Sequence, residues 1–410
     1  MYDFDVIIIG AGPAGMMAAI TAAYGQKKVC LIEHNEKPGK KILVTGNGKC
    51  NITNFNITPD CYNSDSKESY FDVINKFSPS ELVGFLNSIG LLTKEKNGYV
   101  YPYSEQASSV LDALRNEVSR LGIILMLNTK VLDITPDFTV TTDSKTLKSK
   151  SLIISCGSKC YPKTGSDGSG YELAKKMSHT IVPPVPALVQ IRCKGDFFRD
   201  FAGVRVQAAV TLTVNDNKII NDTGELQLTD YGISGIPVFC ISRFVKRELD
   251  KKNNPKIHIN FMPDYNKKEV RKIISNALCR NTKIDYITAL NGIFNKKLAS
   301  VLIRAAGLLN GKSCRDVCEN DIETICRLIS DFVVIPTDTN GFDNAQVCAG
   351  GVSLDEVNLS TLESKKVKNL YFAGEILDVD GKCGGYNLQW AFSSGHLCGI
   401  SVCGDNYDKN

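Results

Sequence analysis

The spacing of apolar and polar positions changes along the chain, and each change marks an element. Phe4-Asp5-Val6-Ile7-Ile8-Ile9 is a short β-branched run, as found in a central parallel strand buried on both faces. It meets Gly10-Ala11-Gly12-Pro13-Ala14-Gly15, and an Ala- and Met-rich stretch to about Tyr24 predicts a helix. Lys28-Val29-Cys30-Leu31-Ile32 predicts a second strand that ends at Glu33, completing one βαβ unit. No charged residue lies between Val6 and Gln26, a length that on its own could pass for a membrane span. However, Asp3 and Asp5 precede it without any basic residue, and three glycines and a proline interrupt it, so strand, turn and helix are expected.

A Gly- and Lys-rich loop follows from Pro38 to Asn51, and residues 60–120 are mixed and partly helical. Leu111 to Leu121 predicts an amphipathic helix, Ile123–Leu127 a strand, Lys130–Ile134 with Val140–Thr142 an antiparallel ribbon, and Ser151–Ser155 a buried strand ending at Cys156-Gly157. The texture shifts at Val182–Pro186, where Pro183, Pro184 and Pro186 suggest a crossing into another domain. Leu188 to about Met262 reads as short alternating strands, Ala208–Val214 among them, hence a small antiparallel sheet or barrel. Lys267 to about Ile329 is helical and basic. The strand Asp331–Ile335 is expected to return the chain, Asn369–Ala373 is one more buried strand, and the last helix runs from Tyr386 to about Ile400.

Composition narrows the class. The 410 residues are 43% hydrophobic and 22% charged, enough for large cores in two or three domains. A formal charge of +4 is too balanced for a nucleic-acid or membrane footprint by composition. The 15 cysteines are odd in number and irregularly spaced, which fits reduced thiols in a cytoplasmic protein rather than a disulfide framework.

The glycine cluster is the strongest local signal. Gly10 permits a tight turn, Gly12 lets the backbone approach a pyrophosphate, and Gly15 lets the helix pack on the strand, with Pro13 and Ala14 opening the helix. Glu33, about 20 residues on at the end of the next strand, is placed to accept hydrogen bonds from a ribose. FAD and NAD both use such a unit. The C-terminal segment favours FAD: Asn369–Ala373 ends in Gly374 and Glu375, an acid suited to a ribityl or pyrophosphate group. Gly384-Gly385-Tyr386-Asn387-Leu388-Gln389 then opens a helix whose N-terminus can stabilise charge at a flavin N1/O2 edge.

Several residues have two readings. Cys50 could be a redox partner of a flavin, but no second thiol flanks it, so packing or flavin contact is the expectation. Cys156 and Cys160, and Cys314 and Cys318, stand four apart, while His34, His179, His258 and His396 are scattered, so no metal site is expected. Tyr161 and Tyr386 are candidate proton donors, each otherwise a packing tyrosine. Lys251, Lys252, Lys267, Lys268, Lys296 and Lys297 make the central region basic, either as a solvated face or for docking an acidic substrate or tRNA.

Six stretches together resemble the HI0933-like (BaiN-like) flavoproteins: Gly10–Gly15, Gly39–Asn54, Tyr161–Gly168, Gly232–Gly235, Ala349–Val352 and Tyr371–Trp390. They span nearly the whole chain in the family's order. Ile236 departs from a common proline and Lys49 from a common arginine. The resemblance implies an α/β fold: an FAD-binding Rossmann-type domain, like that of two-dinucleotide flavoproteins, interrupted by an inserted β-barrel and a small helical subdomain. The boundaries expected are 1–186 and 329–410 for the FAD domain, 187–264 for the barrel and 265–328 for the helices.

By the same resemblance, Gly10, Gly12, Gly15 and Glu33 hold the ADP half and the Val131 backbone reads adenine. Lys41, Gly46, Cys50 and Asn51 run under the flavin, and Gly157 ends a second cofactor-touching strand. Gly374, Glu375 and Gly385 through Gln389 hold the ribityl chain and ring. The activity implied is reduction of a CH–CH bond: NAD(P)H, bound transiently, reduces the flavin, which delivers a hydride to a conjugated C=C bond of a steroid or bile-acid-like enone. The alternatives are an FAD-dependent amine or ketone oxidase and a tRNA-associated flavoprotein. A small-molecule substrate is expected, without membrane or nucleic-acid partner. The sequence does not indicate an oligomeric state.

Overall fold

The computed structural model describes residues 2–66, 69–309 and 311–404. It divides into two compact units. The first runs to Val185 and resumes at Gln346; the second is Pro186–Ala345.

The first unit is built on a parallel sheet. Its strands are β1 (Phe4–Ile9), β2 (Val29–Ile32), β3 (Ile124–Met126), β4 (Thr146–Ile154) and β5 (Leu370–Phe372), in the order β3-β2-β1-β4-β5. Val6 to Ile9 lie between two neighbours and are buried on both faces, which is why the run is apolar without alternation. Helix α1 (Pro13–Tyr24) follows β1 and helix α2 (Tyr386–Cys403) closes the unit. The two helices pack together through small residues. A Cβ at Gly395 would stand 2.3 Å from the Ala14 carbonyl oxygen, and one at Gly399 would stand 2.5 Å from Thr21 Cβ. Both helices are apolar around their circumference because both are enclosed. Among the described residues no helix is long and apolar enough to cross a membrane. The ribbon expected after residue 130 is present as Val131–Ile134 paired with Thr139–Thr142, which in turn pairs with the start of β4.

The second unit holds a seven-stranded antiparallel sheet centred on the hairpin Arg205–Val214 and Asn217–Thr229. Ala208, Val210, Leu212 and Val214 face its core in strict alternation. Its edge strands, Phe332–Val334 and Pro336–Thr339, are separated in sequence by Ile335 alone.

Two segments differ from the sequence expectation. Ile236–Asp250 is a helix inside the stretch read as strands; Pro237, Ile241 and Val245 are buried at helical spacing along it. The strand expected near Asp331–Ile335 does not return the chain to the first unit. It pairs with Ile257–Ile259 in the second unit, which continues to Ala345. Alternation identifies a strand but not its partner, which depends on register with a segment far away in sequence.

Candidate cofactor site

The turn between β1 and α1 is closed by contact. Gly10 has φ +99°, and a Cβ there would stand 2.6 Å from the Ser155 carbonyl oxygen. A Cβ at Gly15 would stand 1.9 Å from the Gly10 carbonyl oxygen. The Ser155 hydroxyl donates to the carbonyls of Ile9 and Gly10 and pins the turn. Gly12 is different: nothing lies within 4 Å of its missing Cβ. Its open side therefore faces free space at the helix start. Pro13 has no N–H, and the helical ladder begins with Met16 N–H on the Gly12 carbonyl. The amides of Ala14 and Gly15 precede that bond, so this end carries bare donors and partial positive charge.

Glu33 is 8% exposed at the end of β2. Its Oε2 accepts the Ala11 N–H at 3.0 Å, and its Oε1 accepts the backbone and side-chain N–H groups of Asn35 at 2.9 and 2.8 Å. Three donors orient the carboxylate and leave it acceptor capacity.

The C-terminal segment reaches the same place. Gly374, after β5, has φ +80°, and a Cβ there would stand 2.8 Å from Ala14 Cβ on α1. Its N–H donates to Ser394 Oγ and its carbonyl accepts from Trp390 Nε1, both on α2. Glu375 Oε2 is 2.5 Å from Lys41 Nζ, with both side chains about one-fifth exposed (17% and 20%). Lys41 Nζ also lies 3.1 Å from Cys160 Sγ. Ser158 Oγ donates to Glu375 Oε2 at 3.3 Å and lies 3.0 Å from Cys160 Sγ. Burial alone would lower the Lys41 ammonium, but Cys160 and Glu375 hold its pKa well above the ordinary value.

The loop after β2 is tied to the fingerprint by Gly39 N–H on the Ala11 carbonyl. It forms 3₁₀ turns over Lys40–Gly48 that break at Thr45, Gly46 and Asn47. A Cβ at Gly46 would stand 2.9 Å from the Asn51 nitrogen. Cys50 is fully buried, and burial pushes its thiol up to about 11, so it stays protonated. The Asn51 amide, oriented by its neighbours, donates to the carbonyls of Val100 and Thr53 and accepts from Gly385 N–H at 3.3 Å.

At the start of α2, Gly385 has φ +91°, and a Cβ there would stand 2.6 Å from the Thr53 backbone. The Gln389 N–H makes the first helical bond, to the Gly385 carbonyl, so the amides of Tyr386, Asn387 and Leu388 precede the ladder. Two side chains expected at the cofactor also hydrogen-bond within the protein. Asn387 clamps both the N–H and the carbonyl of Gly381. Gln389 is fully buried, accepts from Thr53 Oγ1, and donates to the Phe77 carbonyl and Ser393 Oγ. The Tyr386 hydroxyl donates to the Asn56 carbonyl at 3.4 Å, and Leu388 packs against the core. Gly157 has φ +73°, with Ser166 Oγ 3.0 Å from its missing Cβ. Val131 pairs with Thr142 in the ribbon, and Tyr161 is half-buried at φ +55°. Among the described residues, neither of these two shares a hydrogen bond with the other expected site residues.

The fold thus joins Ala14 to Gly374, Lys41 to Glu375 and Asn51 to Gly385. Sequence spacing gave no sign of Ser158 as a neighbour of Glu375, because the two lie 217 positions apart. Among the described residues no group of three His, Cys, Asp or Glu side chains is placed to hold a metal.

A family model described as the HI0933-like protein Rossmann domain matches residues 4–401. The chain is 42% identical to a 3-dehydro-bile acid delta(4,6)-reductase of Clostridium scindens, over 96% of this chain and 97% of that protein. It is 29% identical to a ribosomal RNA dihydrouridine synthase of Escherichia coli, over 97% and 98% of the two chains. A 3-ketosteroid-delta4-(5alpha)-dehydrogenase from Rhodococcus jostii aligns structurally at a TM-score of 0.49 and 13% identity, covering 98% of each chain.

Proposed function

The chain belongs to the HI0933-like family of Rossmann-type flavoprotein oxidoreductases, and on that premise we propose that it reduces a ring C=C bond conjugated with a carbonyl in a steroid or bile-acid-like substrate, with NAD(P)H as transient electron donor. What supports this above all is the 42% identity, sustained over 96% of the chain, to a reductase of that bond type.

The residues present fit FAD. Gly12 leaves open space before a helix start with unpaired amides, suited to the pyrophosphate. Glu33 has acceptor capacity left for ribose hydroxyls. Lys41 and Glu375, with Gly374 against Ala14, would hold the ribityl region. The amides ahead of the α2 ladder would face the electron-rich edge of the ring, with Gly46, Asn51 and Gly385 shaping the backbone around it. Asn387 and Gln389 support that helix start through protein contacts rather than touching the group. FAD bound there supplies hydride transfer to an electron-poor carbon. The α2 N-terminus would favour negative charge there. Protonation of the neighbouring carbon falls to the hydroxyl of Tyr161 or Tyr386. We place the protein in the cytoplasm on similar grounds: its 15 cysteines are unpaired, which suits a reducing compartment.

A second reading rests on the 29% identity to a ribosomal RNA dihydrouridine synthase. Reduction of a uracil ring is the same bond chemistry on an RNA base. Lys252, Lys267, Lys268 and Lys296 are exposed on the second unit and would meet phosphates.

Anaerobic mixing of the purified yellow protein with NADH or NADPH tests both readings. Bleaching of the flavin band, reversed by a 3-oxo-Δ4,6 steroid acid, supports the first. Reversal only by unmodified ribosomal RNA selects the second. No bleaching by either nucleotide overturns the donor assignment, and a colourless protein that cannot be reconstituted with FAD overturns the cofactor.

A further inference from the structure

Cys160 sits in a cluster for which the proposed reaction has no use. Its sulfur is fully buried and lies 3.1 Å from Lys41 Nζ and 3.0 Å from Ser158 Oγ. A second thiol, Cys348 on the buried strand Val347–Val352, lies beside it, two residues beyond Gln346, whose carbonyl meets the Cys160 sulfur. As a thiol, Cys160 can donate to the Gln346 carbonyl at 3.2 Å; as a thiolate, it is met by Lys41, Ser158 and Cys348. The Tyr171 hydroxyl, 4% exposed and beside the same two sulfurs, has no hydrogen-bond partner.

We propose that Cys160 and Cys348 are a redox-active thiol pair that reacts with a hydroperoxide, Cys160 being the attacking sulfur and Cys348 the resolving one.

Three observations support that division. Lys41 Nζ stands within reach of both the Cys160 sulfur and the Glu375 carboxylate, so its charge favours a Cys160 thiolate against the opposing carboxylate. Burial would raise the Cys160 thiol, but the neighbouring Cys348 thiol and the Lys41 charge bring it below its ordinary value. Cys348 is pushed well up by burial and by Cys160. Every other described cysteine with a resolved shift is pushed up, chiefly by burial. Lys41 and Glu375 are the partly exposed members of the cluster.

The chemistry balances. The Cys160 thiolate attacks one peroxide oxygen, forming the sulfenic acid and releasing an alkoxide or hydroxide that takes up a proton. The Cys348 sulfur then attacks the sulfenic sulfur; the S–S bond forms and hydroxide leaves with the Cys348 proton as water. Two thiols and one hydroperoxide give one disulfide, one alcohol or water, and one water. The two sulfurs lose the two electrons that the O–O bond gains.

The test is peptide mapping of the FAD-loaded protein after brief exposure to hydrogen peroxide. The expected product is a Cys160–Cys348 disulfide, formed before the exposed Cys279 and Cys318 are oxidised. In C348S, unfolding the peroxide-treated protein in dimedone should give an adduct on Cys160. In K41M, oxidation of Cys160 should slow roughly tenfold or more, as its thiolate fraction falls. Free thiols at Cys160 and Cys348 while Cys279 and Cys318 oxidise would overturn the proposal. So would a C348S protein without the Cys160 adduct, or an unchanged rate in K41M. None of these readouts depends on the substrate, so they stand apart from a failure of the reductase assignment.

Discussion

Lys41 Nζ stands 2.5 Å from Glu375 Oε2, linking the loop after β2 to the turn after β5 across 334 positions of sequence. Replacing Glu375 by Gln keeps the shape but leaves the ammonium with only Cys160 as anionic partner. The loss should be about 1–3 kcal/mol, less than for a fully buried pair because both side chains are partly exposed. The folded ammonium is held above its ordinary value. The pair's contribution is therefore complete below about pH 10.4, the unfolded value, and is lost as pH rises through the folded one. Urea midpoints of wild type and E375Q should differ by a constant amount through neutral pH and converge in strong alkali.

Two glycines of the same fingerprint should behave in opposite ways. Gly12 has φ −75° and open space at its Cβ position. Gly12→Ala should fold with stability within about 0.5 kcal/mol of wild type, yet bind FAD at least about tenfold more weakly, since the methyl occupies the phosphate approach. Gly15→Ala places a Cβ 1.9 Å from a carbonyl oxygen and should lose about 3 kcal/mol or more. Flavin titration and urea unfolding separate the two; equal loss of stability in both variants would contradict this account.

The α1–α2 contact should tolerate no added methyl. Gly399→Ala puts a Cβ 2.5 Å from Thr21 Cβ and should cost about 1–3 kcal/mol in urea unfolding. Since α2 also carries Ser394 and Trp390, which hold Gly374, flavin should dissociate faster as well.

His179 makes a pH prediction. It is buried beside Phe372, its Nε2 meets Ser364 Oγ at 2.8 Å, and its Nδ1 has no partner. Burial lowers its pKa below the ordinary value. The unfolded chain then binds the proton more readily, so stability is complete above about pH 6.5 and falls as pH drops through that value toward the folded one. NMR titration should show the His179 ring resisting protonation. H179Q should flatten the fall in Tm on mild acidification.

Local patterns identified the βαβ start of the first unit because its folding signals are local. The β1–α1 turn, with Gly10, Gly12, Gly15 and Glu33, lies within one βαβ unit, where strand, turn and helix each leave their own mark. The resemblance extended this to Gly374, Glu375 and Gly385, also set at a strand end or helix start. The helix Ile236–Asp250 was missed because its i, i+4 apolar positions lie among strands of similar composition.

What the sequence alone determined, then, was the kind of fold and the strand ends and helix starts at which a dinucleotide site is proposed. The tertiary structure decided which distant side chains meet. It placed Phe332–Val334 in the sheet of the second unit and turned Asn387 and Gln389 to protein partners. It also brought Cys348 to Cys160 and Cys160 to Lys41. A local signal reflects backbone geometry repeated every few residues. A contact between segments far apart leaves no such period, because it depends on strand register and on the close approach of helices that only the folded chain sets.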